Sequence, residues 1–178
     1  LRVRFFFTVE IFKKLFPQNL REGFTWIIDR GIYGIDTLNE IVKSKDHIIT
    51  WEKDYKKGNW NDQYKKKSFI LRLSRNSSSD LNEYTCEYYE QAWHRNSKFR
   101  NFIVRVTKKI GKKKKRTIEV SVLCSDSEIN SDEAVQYILR RWLQENDFAY
   151  LIKHYGIDQI DSYKYHQYRD LEDKEKTH

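Results

Sequence analysis

Apolar and polar positions change rhythm several times along this chain, and each change marks an element. Leu1-Arg2-Val3-Arg4-Phe5-Phe6-Phe7 alternates and then turns aromatic, which predicts a strand near residues 2 to 7. A short helical pattern follows from Val9 to Phe16, and Pro17-Gln18-Asn19 breaks it. Phe24-Thr25-Trp26-Ile27-Ile28 is the most strongly β-prone run, and its near-continuous hydrophobicity predicts a central strand covered on both faces. The run stops at Asp29-Arg30-Gly31, and the turn Gly31-Ile32-Tyr33-Gly34 leads into a predicted helix from Ile35 to Lys43. Leu38, Ile41 and Val42 are the buried stripe of that helix, and His47-Ile48-Ile49-Thr50-Trp51 reads as the next strand. Together these elements predict a βαβ unit.

From Glu52 to about Lys67 the pattern dissolves into Lys, Asn, Asp, Gln and Gly, studded with Tyr55, Trp60 and Tyr64, so this stretch reads as a loop or basic arm. Four alternating runs follow, at residues 68–74, 84–93, 99–107 and 117–124, and predict a mostly antiparallel β region. Asn76-Ser77-Ser78-Ser79-Asp80 is a turn cluster, and Ile110-Gly111-Lys112-Lys113-Lys114-Lys115-Arg116 is a basic hairpin tip. The acidic and polar stretch from Asp126 to Glu133 offers several N-caps for a helix from about Asp132 to His154, which Tyr155-Gly156 ends. The tail after Tyr163 is charged.

At 178 residues the chain has room for one core with an elaboration. It contains no methionine and starts directly on an apolar run, so it reads as a piece of a longer protein. Thirty-four Lys and Arg against twenty-six Asp and Glu give a net charge of +8, which favours polyanionic partners. No apolar run approaches the roughly 20 residues that span a bilayer, and no signal-peptide layout is visible, so a soluble, cytoplasmic protein without a membrane partner is expected. Cys86 and Cys124 lack CxxC spacing and sit in strand-like runs, as reduced, packed thiols do.

Chemistry enters with two carboxylates. In the helical stretch Tyr137 to Asn146, Ile138, Arg141, Trp142 and Glu145 fall on one side, so a carboxylate shares a face with a guanidinium and an indole. That face is either a salt-bridged packing surface or part of a site. Asp29 lies at the end of an apolar strand, where α/β proteins often meet ligands, but it also suits a turn or a helix cap. Hard divalent cations take oxygen ligands, and phosphoryl transfer uses them, so a strand-end Asp and a helix Glu are one way to build such a site. Arg141 can hold a phosphate or orient the Glu; Trp142 can stack on a base or fill a core.

Asp29-Arg30-Gly31 after an apolar strand, then a β-rich insertion, then Arg141-Trp142-Leu143-Gln144-Glu145-Asn146 and Tyr155-Gly156-Ile157-Asp158, resembles the C-terminal part of the catalytic domain of a DDE transposase of the bacterial insertion-sequence type. The resemblance covers most of residues 24 to 163. It implies an α/β, partial ribonuclease H-like fold with a β-rich insertion before the Glu-bearing helix. It divides the chain into a partial core (1–51), a basic β-rich insertion with its return strand (52–125), the Glu-bearing helix and following core segment (126–163) and a charged tail (164–178). It further implies Asp29 as the second and Glu145 as the third metal-binding catalytic carboxylate, Mg²⁺ (or Mn²⁺) as cofactor, and transposon-end and target DNA as partners, with room for a homodimer. Arg30 and Asn146 belong to the motifs that carry the likeness. Three positions depart from the family pattern. Ile138 stands seven residues before the Glu where the family has Tyr, Ala149 stands where a Lys is usual with Lys153 the nearest substitute, and no strand-end Asp precedes Phe24. With the first Asp absent, the chain is expected to be inactive alone.

Lys56-Lys57, Lys65-Lys66-Lys67, Lys108-Lys109 and Lys112, Lys113, Lys114, Lys115 and Arg116 offer cations for backbone phosphate, interleaved with Trp60, Tyr64, Trp93 and Phe99. His94 suits a surface or hydrogen-bonded histidine. Two other expectations stay open beside the transposase fragment: a DNA-binding remnant that no longer cuts, and a structural or interaction domain whose charges only solvate it.

Overall fold

The computed structural model describes residues 2–29, 34–53, 55–58, 60–74, 81–110 and 114–142. The chain divides into two units, Leu1–Arg141 and Trp142–His178, and of the second only Trp142 is among the described residues.

The expected strand near residues 2 to 7 is instead the first two turns of helix α1, Arg2–Lys14. Phe5, Val9, Phe12 and Phe16 recur at helical spacing, and that longer period outweighs the short alternation at the start. The stripe meets an aromatic floor: Phe5 and Phe12 lie 6.4 and 5.6 Å from the Trp26 ring, and Phe16 lies 5.3 Å from Phe24. Tertiary packing therefore decides the local structure. A single 3₁₀ turn, Gln18–Leu20, follows the Pro17 break.

Strand β1 (Thr25–Ile28), helix α2 (Ile35–Lys43) and strand β2 (His47–Trp51) form the expected βαβ unit, with β1 and β2 parallel in the register Thr25↔His47 to Ile28↔Thr50. Helix α2 opens with Asp36 and closes with Lys43, charges that suit the ends of the helix dipole, and it buries Thr37, Leu38 and Ile41. Asp46, in the turn before β2, ties three elements together. Its carboxylate pairs with Lys13 Nζ of α1 at 2.6 Å and accepts from Trp26 Nε1 at 2.8 Å and the Phe24 N–H at 3.3 Å.

β3 (Lys67–Ser74), β4 (Leu81–Ala92), β5 (Arg100–Ile110) and β6 (Lys114–Cys124) make an antiparallel meander, as the alternating runs predict. Strand β6 then pairs antiparallel with β2, giving one six-stranded sheet in the order β1-β2-β6-β5-β4-β3. The expected boundary at residues 51 and 52 is thus spanned by a continuous sheet. Strand β1, expected at the centre, lies at the edge with all four residues half-buried. Its continuous hydrophobicity comes from packing, with Trp26 and Ile28 set against the core and the aromatic cluster of α1 above them.

The sheet has two different faces. Register aligns Lys67, Tyr88, Val104 and Val120 on the first, which buries Cys86, Tyr88, Phe102, Val104, Val106, Val122 and Cys124. Residues 131–142 form helix α3, joined to this face by hydrogen bonds from the Tyr88 hydroxyl to Asp132 and from Lys67 Nζ to Ser131 Oγ. Ala134, Val135, Ile138 and Leu139 are its buried side, each at most 1% exposed. On the second face, Leu38 and Ile41 of α2 pack with Ile48, Trp93, Phe99 and Leu123. Arg100 fixes the approach to α3: its guanidinium forks onto both Glu90 oxygens at 2.7 and 3.0 Å and also donates to Asp126 O, Ile129 O and Ser131 Oγ. Among the described residues no helix is long and apolar enough to cross a membrane.

Candidate functional site

Both parallel strands end in an acid. Asp29 follows Ile28 of β1, and Glu52 follows Trp51 of β2. Ile28 packs into the second-face core, so alternation carried one residue further puts the half-buried Asp29 on the first face, the face that α3 occupies. Arg141, on α3, is half-buried, as is Trp142 at the start of the second unit. Glu145, Asn146, Lys153 and Arg30 lie outside the described residues, and the expected pairing of Asp29 with Glu145 lies outside them too. The described residues do not make a metal centre on their own: no three His, Cys, Asp or Glu side chains among them come together, and Asp29 offers a single carboxylate.

The hairpin joining β5 and β6 carries a ladder of like charges. Lys108 faces Arg116 and Lys109 faces Lys115 in direct register, with Ile110 opposite Lys114. Like charges directly opposite one another destabilise a β pair, and no acid intervenes between these. Lys109, Lys115 and Arg116 are exposed, whereas Lys108 Nζ rests 5.4 Å above the Tyr84 ring. Lys112 and Lys113 lie outside the described residues, and Lys114 is described only as a strand residue.

The aromatic residues of the 52–67 arm are used internally. The Tyr64 ring stacks on Tyr89 with centroids 4.7 Å apart and planes 6° from parallel; Trp60 meets Tyr89 edge-on and lies 4.3 Å from the Arg105 guanidinium. Trp93 and Phe99 belong to the core, at 2% and 1% exposure. Glu119 of β6 clasps the arm to the sheet, accepting from the Tyr55 hydroxyl, from Arg105 Nε at 3.0 Å and from the Gly58 N–H at 3.0 Å. Gly58 reaches it with φ of 95°, a backbone state that glycine adopts without strain.

Burial pushes the Glu119 carboxyl up, but the bonds from Tyr55, Arg105 and Gly58 together outweigh it and hold its pKa below the ordinary 4.5. A carboxyl depressed in the folded state contributes stability that is present above its unfolded-chain value and lost as pH falls through its folded value. From about pH 5 down to pH 3, the chain should therefore lose more stability than its Glu119→Gln variant. Urea titrations across that window measure this, and equal slopes for the two proteins would contradict the clasp.

Beneath the arm is a polar cavity of about 290 Å³, lined by Glu52, Gln91 and Asn101 from the sheet, Tyr64 and Tyr89, and a rim of Lys56, His94 and Arg95. Glu52 is 7% exposed; its Oε1 accepts from Trp93 Nε1 at 2.8 Å and its Oε2 from Ser121 Oγ at 2.7 Å. Asn101 Nδ2 donates to Ser121 Oγ at 2.6 Å, and its Oδ1 accepts from Gln91 Nε2 at 3.0 Å. Glu52 is missing from the candidates read off the sequence, although an acid directly after five strand residues repeats the signal that singles out Asp29. His94 is exposed, as expected. Cys86 and Cys124 are free and buried, and burial raises their thiol pKa values to about 12 and about 11, so neither is a nucleophile at neutral pH. No family model matches the chain, and neither does any curated protein or solved structure.

Proposed function

We propose that this chain is part of a DNA transposase of the DDE type, one whose complete catalytic domain cleaves and joins DNA strands with Mg²⁺ or Mn²⁺, with Asp29 and Glu145 as two of its carboxylates. One observation carries the reading. Asp29 ends a strand of a parallel pair, and strand alternation gives it the same sheet face as α3, the helix that leads through Arg141 to the Glu145 segment after a four-stranded β insertion. The end of a parallel strand is where side chains of α/β sheets commonly meet ligands. With no strand-end Asp before Phe24 to serve as the first carboxylate, the chain by itself is proposed to be inactive.

A second reading, a DNA-binding remnant that no longer cuts, draws on the cation ladder of the hairpin, whose cross-strand repulsion a polyanion would relieve. Both readings require duplex binding that depends on salt. If Lys108, Lys109, Lys115 and Arg116 each meet one phosphate, the slope of log affinity against log salt is about −3.6, a loss of roughly 150-fold between 50 and 200 mM. The Lys109→Glu, Lys115→Glu double variant should bring the slope to about −1.8. Filter binding or fluorescence anisotropy with a duplex of mixed sequence measures both. No binding at about 50 mM salt would contradict both readings and leave the charges as a solvated surface.

A further inference from the structure

Helix α1 is apolar on two opposite sides, and the sheet uses one of them. Phe5, Phe12 and Phe16 meet Phe24 and Trp26, with Val9 buried between them. On the other side Phe7 and Ile11 stand one turn apart, and Leu15, whose N–H bonds to Phe12 O, continues the row. These three are 67, 47 and 76% exposed. A surface helix normally keeps its outer side polar, so a second apolar row calls for a second surface to cover it.

The row is held in place. Lys13 of α1 pairs with the buried Asp46 at 2.6 Å, and Arg21 Nε donates to Phe16 O at 2.9 Å just beyond the helix. Turning Phe7, Ile11 and Leu15 inward would break these contacts together with the aromatic packing, so the row is a fixed part of the surface. At on the order of 200 Å² for a large apolar side chain, the three expose roughly 400 Å². A contiguous patch of about that size marks an interaction site more often than scattered surface residues do.

The charges beside the row select its occupant. Glu10 and Lys14 are exposed, stand one turn apart and lie along the same flank of the row. A two-fold axis at Ile11 sets a second α1 antiparallel to the first, so that Phe7 of one copy lies against Leu15 of the other and each Glu10 comes within reach of the opposing Lys14. The flank is thus complementary to itself. A row spaced by four residues also packs ridge into groove against its own copy, in the commonest class of helix crossing. An anionic lipid surface would suit the lysines of α1, but Glu10 on the same flank opposes it. We propose that α1 is a homodimer interface, with Phe7, Ile11 and Leu15 as its apolar centre and two symmetry-related pairs of Glu10 with Lys14 at its edge. The interface uses neither Asp29, Glu145 nor the hairpin, so it stands or falls apart from the phosphoryl-transfer reading.

Sedimentation equilibrium of the whole chain tests it. Two copies cover about 800 Å² of apolar surface, at the low end for a specific complex, so a monomer–dimer equilibrium with a Kd of about 10–100 μM is expected. Ile11→Glu, at an exposed position, should leave the circular dichroism unchanged and the chain monomeric. Lys14→Glu should weaken the dimer about tenfold, although it lowers the net positive charge, because it sets two pairs of like charges against each other. Glu10→Lys should weaken it similarly, and the double exchange Glu10→Lys, Lys14→Glu should restore the parent affinity. A monomer up to about 500 μM, assembly beyond two copies, or a double exchange no tighter than the single ones overturns the proposal. So does flotation of a chain that stays monomeric with vesicles of phosphatidylserine and phosphatidylcholine, which would give the row to a lipid surface.

Discussion

Trp93→Ala should cost about 3–5 kcal/mol through the cavity alone, the range for deleting a large aromatic side chain from a core. Trp93 is among the largest fully buried side chains, packed with Leu38, Ile41, Ile48, Phe99 and Leu123 where α2 meets the sheet. The substitution also removes the Nε1–H that reaches Glu52 at 2.8 Å, leaving a buried carboxylate with one donor fewer. Trp93→Phe separates the two effects, since it keeps most of the ring volume and loses the donor, at about 1.5–3 kcal/mol for a hydrogen bond to a charged group. Against a total stability of about 5–15 kcal/mol, the alanine variant should be close to unfolding and the phenylalanine variant should fold. Urea denaturation followed by far-ultraviolet circular dichroism measures both. A Trp93→Ala variant within about 1 kcal/mol of the parent would show that the core does not centre on this residue.

How much of this fold is legible in the sequence depends on whether a signal is local. Helix α2 falls at the expected residues because its stripe, its terminal charges and the flanking turn all agree. The antiparallel pairing of β5 with β6 follows from the alternating runs on either side of a glycine and lysine stretch. Helix α1 looks like a strand in sequence because Val3 to Phe7 satisfies a strand pattern over five residues, and only its packing on Trp26 and Phe24 selects the longer helical period. The edge position of β1 is hidden for a related reason. Apolar residues on a strand report coverage of its faces, whereas its hydrogen-bonding neighbours are set by chain topology.

The candidate sites divide in the same way. Asp29 stands out because it ends an apolar run inside a family-like motif, while Glu52 has the same local signal without such a motif around it. What makes Glu52 notable is nonlocal: Trp93 and Ser121, 41 and 69 residues away, supply its hydrogen bonds. The aromatic residues of the arm suggest a surface for nucleic acid, and most of them instead clamp the arm to the sheet through Tyr89 and Arg105. Aromatic count along a loop does not reveal which rings face inward.

The second large effect is on catalysis, through the two carboxylates at the centre of the proposed function. A residue that holds the catalytic metal contributes several kcal/mol to the transition state, and about 4 kcal/mol corresponds to a thousandfold in rate. The most direct measurement is Mg²⁺-dependent cleavage of duplex DNA by a protein containing this chain together with the missing first Asp, compared with its Asp29→Asn and Glu145→Ala variants. Each substitution should lower the cleavage rate by about a thousandfold or more with duplex binding retained. Cleavage at the parent rate in either variant would remove that residue from the catalytic set and contradict the assignment.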